Sequence, residues 1–159
     1  MITDTEFQRL ADEGYNRIPL IAQAFADLET PLSLYLKLAC TDDSGQPSDT
    51  HRRHSFLLES VVGGERFGRY SFIGLPTPTM LRATGFLTEV VTDGAVIERH
   101  EGNPLDFIAA YQQRFKVAIE PGMPRFCGGL AGYFGYDAVR YIEKKLETSC
   151  PPDEMGTPD

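Results

Sequence analysis

The sequence contains no tryptophan, only three cysteines, and fewer basic than acidic residues. No apolar run approaches the roughly 18–20 residues that a membrane span requires. The odd number of cysteines (Cys40, Cys127 and Cys150), without CxxC spacing, argues against a disulfide or metal framework and favours a reducing cytoplasm. Fifteen basic against 23 acidic residues give a net charge of −8, which argues against nucleic acid or an anionic membrane as a partner.

Residues for catalysis or metal binding are also scarce. Cysteine catalysis needs a positioned base, and His51, His54 and His100 are the only histidines. The run "HRRH" at 51–54 places adjacent cations between its histidines, which is unfavourable for a metal, so a loop cap beside acidic surface is favoured over a metal or anion site. Glycines at 129, 132 and 135 fit neither GxGxxG nor a phosphate loop, and indicate backbone packing. We expect no catalytic residue and no metal ligand in this chain.

Helix signals lie at both ends of the sequence. Thr3 and Glu6 have capping-box spacing and predict a helix over 3–13. Thr30 before Pro31 predicts a second helix start, and Asn103 before Pro104 a third. A last helix is predicted from 136 or 137, with Val139, Ile142 and Leu146 facing inward.

The middle of the chain is rich in strand signals. Strands are predicted near 55–62, 69–74, 79–84, 86–92 and 95–100, with Asp93-Gly94 as a hairpin turn. "CGGLAGYFGY" at 127–136 predicts a further, tightly packed strand. A block of strands flanked by helices indicates an α+β fold with antiparallel, sandwich-like sheets. Residues 1–147 are predicted to form one globular domain, and the proline-rich residues 148–159 a tail or a linker.

Glu59 stands in the apolar run "FLLESVV". In a strand, Leu57, Glu59 and Val61 share one face, and the other face is apolar as well, so the strand is expected to be covered on both sides. A buried carboxylate must then find a cation or take up a proton.

Two kinds of cation could pair with Glu59. One is an internal arginine: Arg66, Arg69 or Arg82. The other is the ammonium group of a free amino acid, with Ser60 as a hydrogen-bonding group. The ligand side chain would then lie among apolar residues, such as Leu58, Tyr70 and Phe72.

Several stretches resemble the N-terminal segment of anthranilate synthase component I. They are "LLES" at 57–60, "GGERFGRYSFIG" at 63–74, "GYNRIPL", "DLETPLSLYLKL", "NPLDFI" and the glycine-tyrosine block at 128–146. The resemblance runs from Gly14 to about Leu146 and is most specific at 57–74. The block at 128–141 is also similar to aminodeoxychorismate synthase component I, so that folate-pathway enzyme stays an alternative. A non-catalytic interaction module, with Glu59 paired internally, is a third reading.

The resemblance implies a lyase that makes anthranilate from chorismate, with Mg²⁺ and with ammonia from a glutamine amidotransferase subunit (component II). It implies the committed step of tryptophan biosynthesis, and feedback inhibition by L-tryptophan bound at the LLES strand. By position, the inhibitor-binding residues would be Leu58, Glu59 and Ser60, with Tyr70 and Ser71 as further candidates. This makes a ligand ammonium the favoured partner of Glu59.

The resemblance also implies that the groups binding chorismate and Mg²⁺ lie in a larger C-terminal region, which nothing in these 159 residues matches. We therefore expect residues 148–159 to lead toward that region, and the chain alone to be inactive. An interface left uncovered would expose apolar surface and favour a homo-oligomer.

Overall fold

The computed structural model of the chain describes residues 2–41, 44, 46, 54–59, 70–124 and 126–146. The chain divides into two compact units, one of Met1–Gln23 with Thr79–Asp159 (unit 1) and one of Ala24–Pro78 (unit 2). In the described part, no helix combines the length and apolar character that a membrane crossing needs.

Unit 1 contains a three-stranded antiparallel meander with β4 in the centre. Its strands are β3 (Thr79–Thr84), β4 (Leu87–Thr92) and β5 (Ala95–Glu101). Asp93 and Gly94 both have positive φ, 52° and 80°, which a two-residue hairpin turn of the predicted Asp-Gly type requires. Val90 and Val91 are buried on the central strand, so the core of unit 1 lies against β4.

A helix, α3 (Pro104–Gln112), follows the meander. As predicted, Asn103 caps it, accepting a hydrogen bond from the Leu105 amide at 2.9 Å. Phe107 is the buried aromatic residue of this helix and stacks on His100 of β5, with ring centroids 4.9 Å apart. This stacking anchors the helix to the edge of the sheet.

The start of unit 1 is joined to residues about a hundred positions later. Helix α1 (Asp4–Asp12) begins at the predicted Thr3 cap, whose hydroxyl accepts from the Glu6 amide at 3.3 Å. After the helix, the Asn16 side chain donates to the Arg114 carbonyl at 2.7 Å and accepts from the Lys116 amide at 2.8 Å. This pair of hydrogen bonds made by the Asn16 side chain is called the Asn16 clamp below.

Unit 2 contains one helix and a two-stranded antiparallel ribbon. Helix α2 (Pro31–Ala39) begins at the predicted Thr30 cap, which forms a reciprocal capping box with Ser33. The ribbon pairs β1 (Phe56–Leu58) with β2 (Phe72–Gly74). Both strands are shorter than predicted, and residues 60–69 lie outside the described part. Helices with small antiparallel sheets confirm the predicted α+β class.

The predicted strand at 127–136 is wrong, because residues 127–135 form no strand. Gly128 and Gly129 have φ of 143° and 147°, a region closed to other residues and far from strand geometry. The predicted last helix is two short 3₁₀ turns, Tyr136–Tyr141 and Lys144–Leu146. Val139 and Ile142 are exposed, so the expectation that they face inward is also wrong.

Glu89 on β4 connects all three strands of the meander. It accepts hydrogen bonds from Arg82 of β3 at 2.6 Å and from Arg99 of β5 at 3.0 Å. Hydrogen bonds first from Arg82 and then from Arg99 lower the pKa of the Glu89 carboxyl. A lowered folded-state pKa stabilises the fold above the unfolded pKa of about 4.3, and this contribution is lost as the pH falls through the folded pKa.

Glu89→Gln should therefore lower the melting temperature at pH 7, with a deficit that shrinks toward zero below about pH 4. Thermal unfolding of both proteins between pH 3 and pH 7 measures this. Glu101→Gln removes an exposed carboxylate from the end of β5 and serves as the control. An equal deficit for Glu89→Gln at every pH would contradict the ionic origin of the effect.

Candidate functional site

The candidate site lies at one end of the β1–β2 ribbon in unit 2. The ribbon's last pair there is Leu58 opposite Phe72, and the next residues along the two chains are Glu59 and Ser71, followed by Tyr70. The structure thus brings four of the five predicted residues to the same end of the ribbon. Ser60, the fifth, lies outside the described residues.

The side chains at this ribbon end are open to solvent. Leu58 is 55% exposed and Tyr70 is 63% exposed, and Glu59 and Ser71 are exposed as well. The expectation that Glu59 is buried between two apolar faces is therefore wrong. The pairing of β1 ends at Leu58, one residue earlier, so the Glu59 carboxylate keeps its contact with water and needs no internal cation.

Of the three candidate arginines, only Arg82 lies among the described residues. Arg82 pairs with Glu89 within unit 1. Arg66 and Arg69 lie outside the described residues. Within the described part of the chain, Glu59 forms no ion pair.

Helix α2 supports the ribbon from its other end. The Tyr35 hydroxyl and the Ser55 hydroxyl, next to β1, lie 2.9 Å apart in a hydrogen bond. Glu29 fixes the start of the helix: it accepts from Ser33 at 2.6 Å and pairs with Lys37, and these contacts lower the pKa of its carboxyl, Lys37 most strongly. The ribbon is thus attached to a well-capped helix, which holds its strands in place.

Gly74 is a second support that sequence reasoning missed. A Cβ at this position would lie 2.0 Å from Cε1 of the Phe56 ring, which crosses directly over the glycine. "SFIG" at 71–74 offered a signal, because a glycine ending an apolar strand often marks a close approach. No sequence signal pointed to the hydrogen bond between Tyr35 and Ser55.

This arrangement suits a small ligand with an ammonium group and an aromatic side chain. A carboxylate accepts an ammonium through a charge-assisted hydrogen bond. The rings of Tyr70 and Phe72 lie 6.3 Å apart with planes tilted by 34°, and such rings offer faces for aromatic contact. Because these groups are exposed, such a ligand can reach them from solvent.

Metal chemistry finds no support in the described residues, where no group of three His, Cys, Asp or Glu side chains is placed to hold an ion. Cys40 and Cys127 are free thiols, and Cys150 lies outside the described part.

Unit 1 has an open groove of about 440 Å³ beside Leu10 and Ala118, which includes none of the five candidate residues.

By fold, then, the chain is an α+β module whose β1–β2 ribbon ends in exposed polar and apolar side chains. It is 51% identical over 162 residues to anthranilate synthase component 1 of Neisseria meningitidis serogroup B, covering 100% of this chain and 31% of that protein. It is 53% identical over 155 residues to anthranilate synthase component 1 of Pseudomonas putida, covering 97% and 29%. The protein of that name from Acinetobacter calcoaceticus is 42% identical over 163 residues.

The chain is therefore homologous, over its whole length, to the N-terminal region of anthranilate synthase component 1. It spans about a third of the length of the curated relatives it matches. No protein-family model and no solved structure matches it.

Proposed function

We propose that this chain acts as the regulatory part of an anthranilate synthase component 1, in which it binds L-tryptophan as a feedback inhibitor. The observation that supports this is the 51% identity to a protein of that name, extending over all of the chain. The relatives' name favours anthranilate over aminodeoxychorismate as the product. A pure interaction module with Glu59 paired internally stays the alternative from another class, and Arg82, one of its three candidate cations, is engaged by Glu89.

The proposed activity of the whole protein is the conversion of chorismate to anthranilate, with Mg²⁺ and with ammonia from a component II amidotransferase. This step commits chorismate to tryptophan biosynthesis, in the cytoplasm. No described side-chain cluster of this chain fits Mg²⁺, so no step of the reaction is assigned to these residues. The chain on its own is expected to form no anthranilate.

In the proposed inhibitor site, the Glu59 carboxylate accepts hydrogen bonds from the tryptophan ammonium. The hydroxyl of Ser60 or Ser71 forms a hydrogen bond with the main-chain polar groups of the ligand. The indole lies along Leu58 and Tyr70, whose exposed surfaces supply apolar area. Tryptophan can inhibit only by preferring one of two arrangements of the whole enzyme. The coupling is reciprocal, so chorismate must weaken tryptophan binding by the factor by which tryptophan weakens chorismate binding.

We expect the 159-residue chain to bind L-tryptophan weakly or not measurably. With Leu58 and Tyr70 more than half exposed, one side of the indole stays in water, and each lost 1.4 kcal/mol costs about tenfold in affinity. Calorimetry measures the affinity. Indole fluorescence gives a second readout, because the chain contains no tryptophan. Tight binding would show that the chain supplies a complete pocket by itself.

The function itself is tested in a chimera in which this chain replaces the matching region of the Pseudomonas putida protein, which is 53% identical to it. The chimera, assayed with component II, should form anthranilate and be inhibited by L-tryptophan. Formation of aminodeoxychorismate, or anthranilate synthesis that ignores tryptophan, would refute the proposal. The unaltered relative, assayed in parallel, shows the response that the grafted region must reproduce.

A further inference from the structure

The segment that leads into the 3₁₀ turns of unit 1 is open to solvent. All nine residues from 126 to 134 are exposed, and no charged residue occurs in the sequence 126–136, "FCGGLAGYFGY". The exposed fraction is 74% for Tyr133, 65% for Phe134 and 95% for Tyr136. We call residues 128–136 the aromatic segment.

Nothing in the described part of unit 1 explains the composition of this segment. Its residues form no ladder with another described strand. Gly132 has an unexceptional φ, and a Cβ added there would meet no atom within 4 Å, so neither strain nor crowding requires a glycine. Glycine beside exposed aromatic residues is suited to close approach by a second backbone. A run of exposed apolar side chains without a charged residue is the kind of surface that an interaction partner covers.

We propose that the aromatic segment is the docking surface for the part of component 1 that lies beyond the matched region in the relatives. This rests on the proposed function. In those proteins, about two thirds of the polypeptide falls outside the match, which covers their N-terminal region. The aromatic segment lies near the C-terminal end of the match, so the following polypeptide begins close to it in sequence.

A second copy of this chain is the less favourable occupant. Each copy carries a net charge of −8, and an uncharged segment offers no opposite charge to offset the repulsion. A covalently continuous occupant, in contrast, has a high effective concentration and needs little affinity of its own. Self-association through the segment is therefore an outcome that would overturn the proposal.

Hydrogen exchange distinguishes these occupants. In the 159-residue chain, amides of 128–134 should exchange close to unprotected rates at all protein concentrations. In the chimera they should exchange at least about tenfold more slowly. Unprotected exchange in the chimera would overturn the proposal, and so would concentration-dependent protection in the chain alone. The corresponding peptides of the unaltered Pseudomonas putida protein are measured as well, so the comparison stands if the chimera fails to fold.

Matched variants test the side chains. Tyr133→Ser with Phe134→Ser should leave the melting temperature of the 159-residue chain unchanged and lower that of the chimera by several degrees. Phe25→Ser with Leu28→Ser removes two apolar side chains that are each 99% exposed and lie outside the segment, and should change neither. Equal effects of both pairs on the chimera would overturn the proposal. Tryptophan inhibition is assayed separately from hydrogen exchange. A chimera that tryptophan inhibits, but whose amides at 128–134 are not protected from exchange, would refute the docking surface and leave the proposed function standing.

Discussion

Glu59→Gln in the chimera is expected to raise the tryptophan concentration for half-inhibition by at least about tenfold, while anthranilate synthesis without inhibitor stays near the wild-type rate. Glutamine keeps the size of the side chain but removes the charge that would hold the ligand ammonium. Because Glu59 is exposed in the described chain, the substitution should not disturb folding. A tryptophan titration of enzyme activity measures the shift.

Asp27→Asn is the matched control for this experiment. It removes one negative charge from another exposed position of unit 2, outside the ribbon end. Its inhibition curve should overlay that of the parent, which separates contact with the ammonium from a general change in charge. Unchanged inhibition in Glu59→Gln would mean that the carboxylate does not bind the inhibitor.

Gly74→Ala is expected to destabilise unit 2 by about 1–3 kcal/mol. The added Cβ would lie 2.0 Å from the Phe56 ring, so the ring must leave its place over β2 or the strands must separate. Chemical denaturation of the 159-residue chain, followed by circular dichroism, gives the free energy of unfolding. Gly132→Ala is the control, because its Cβ meets open space.

A second substitution tests the mechanism of that loss. Phe56→Leu shortens the side chain above Gly74, so the double variant Phe56→Leu/Gly74→Ala should be more stable than the sum of the two single losses predicts. If the losses of stability in the two single variants simply added in the double variant, the glycine would be required for a reason other than its contact with the Phe56 ring.

Local signals predicted much of the fold. The caps at Thr3, Thr30 and Asn103 each place a helix start correctly, because a capping side chain and its amide partner lie within three residues. The turn at Asp93-Gly94 fixes its hairpin for the same reason, since positive φ at both positions is a local requirement. Features set by contacts between residues distant in sequence, such as the hydrogen bond from Asn16 to the Arg114 carbonyl, left no comparable signal.

Two errors share a physical cause. Alternation of side chains predicted that Glu59 is covered, but alternation gives the face of a residue and not whether another element covers that face. The apolar composition of 127–136 predicted a packed strand, although apolar character fits a surface awaiting a partner equally well. The candidate site was located by resemblance at 57–74, and the structure adds the pairing of Leu58 with Phe72 that brings its residues to one ribbon end.

The Asn16 clamp has a consequence for the order of events during synthesis. Its bonds reach the Arg114 carbonyl and the Lys116 amide, so they cannot form until those residues have emerged from the ribosome. Residues 24–78 form a compact unit that is contiguous in sequence, so contacts within that unit can form before the clamp does. The ribbon that carries the candidate site is thus expected to be among the earliest structures of the nascent chain.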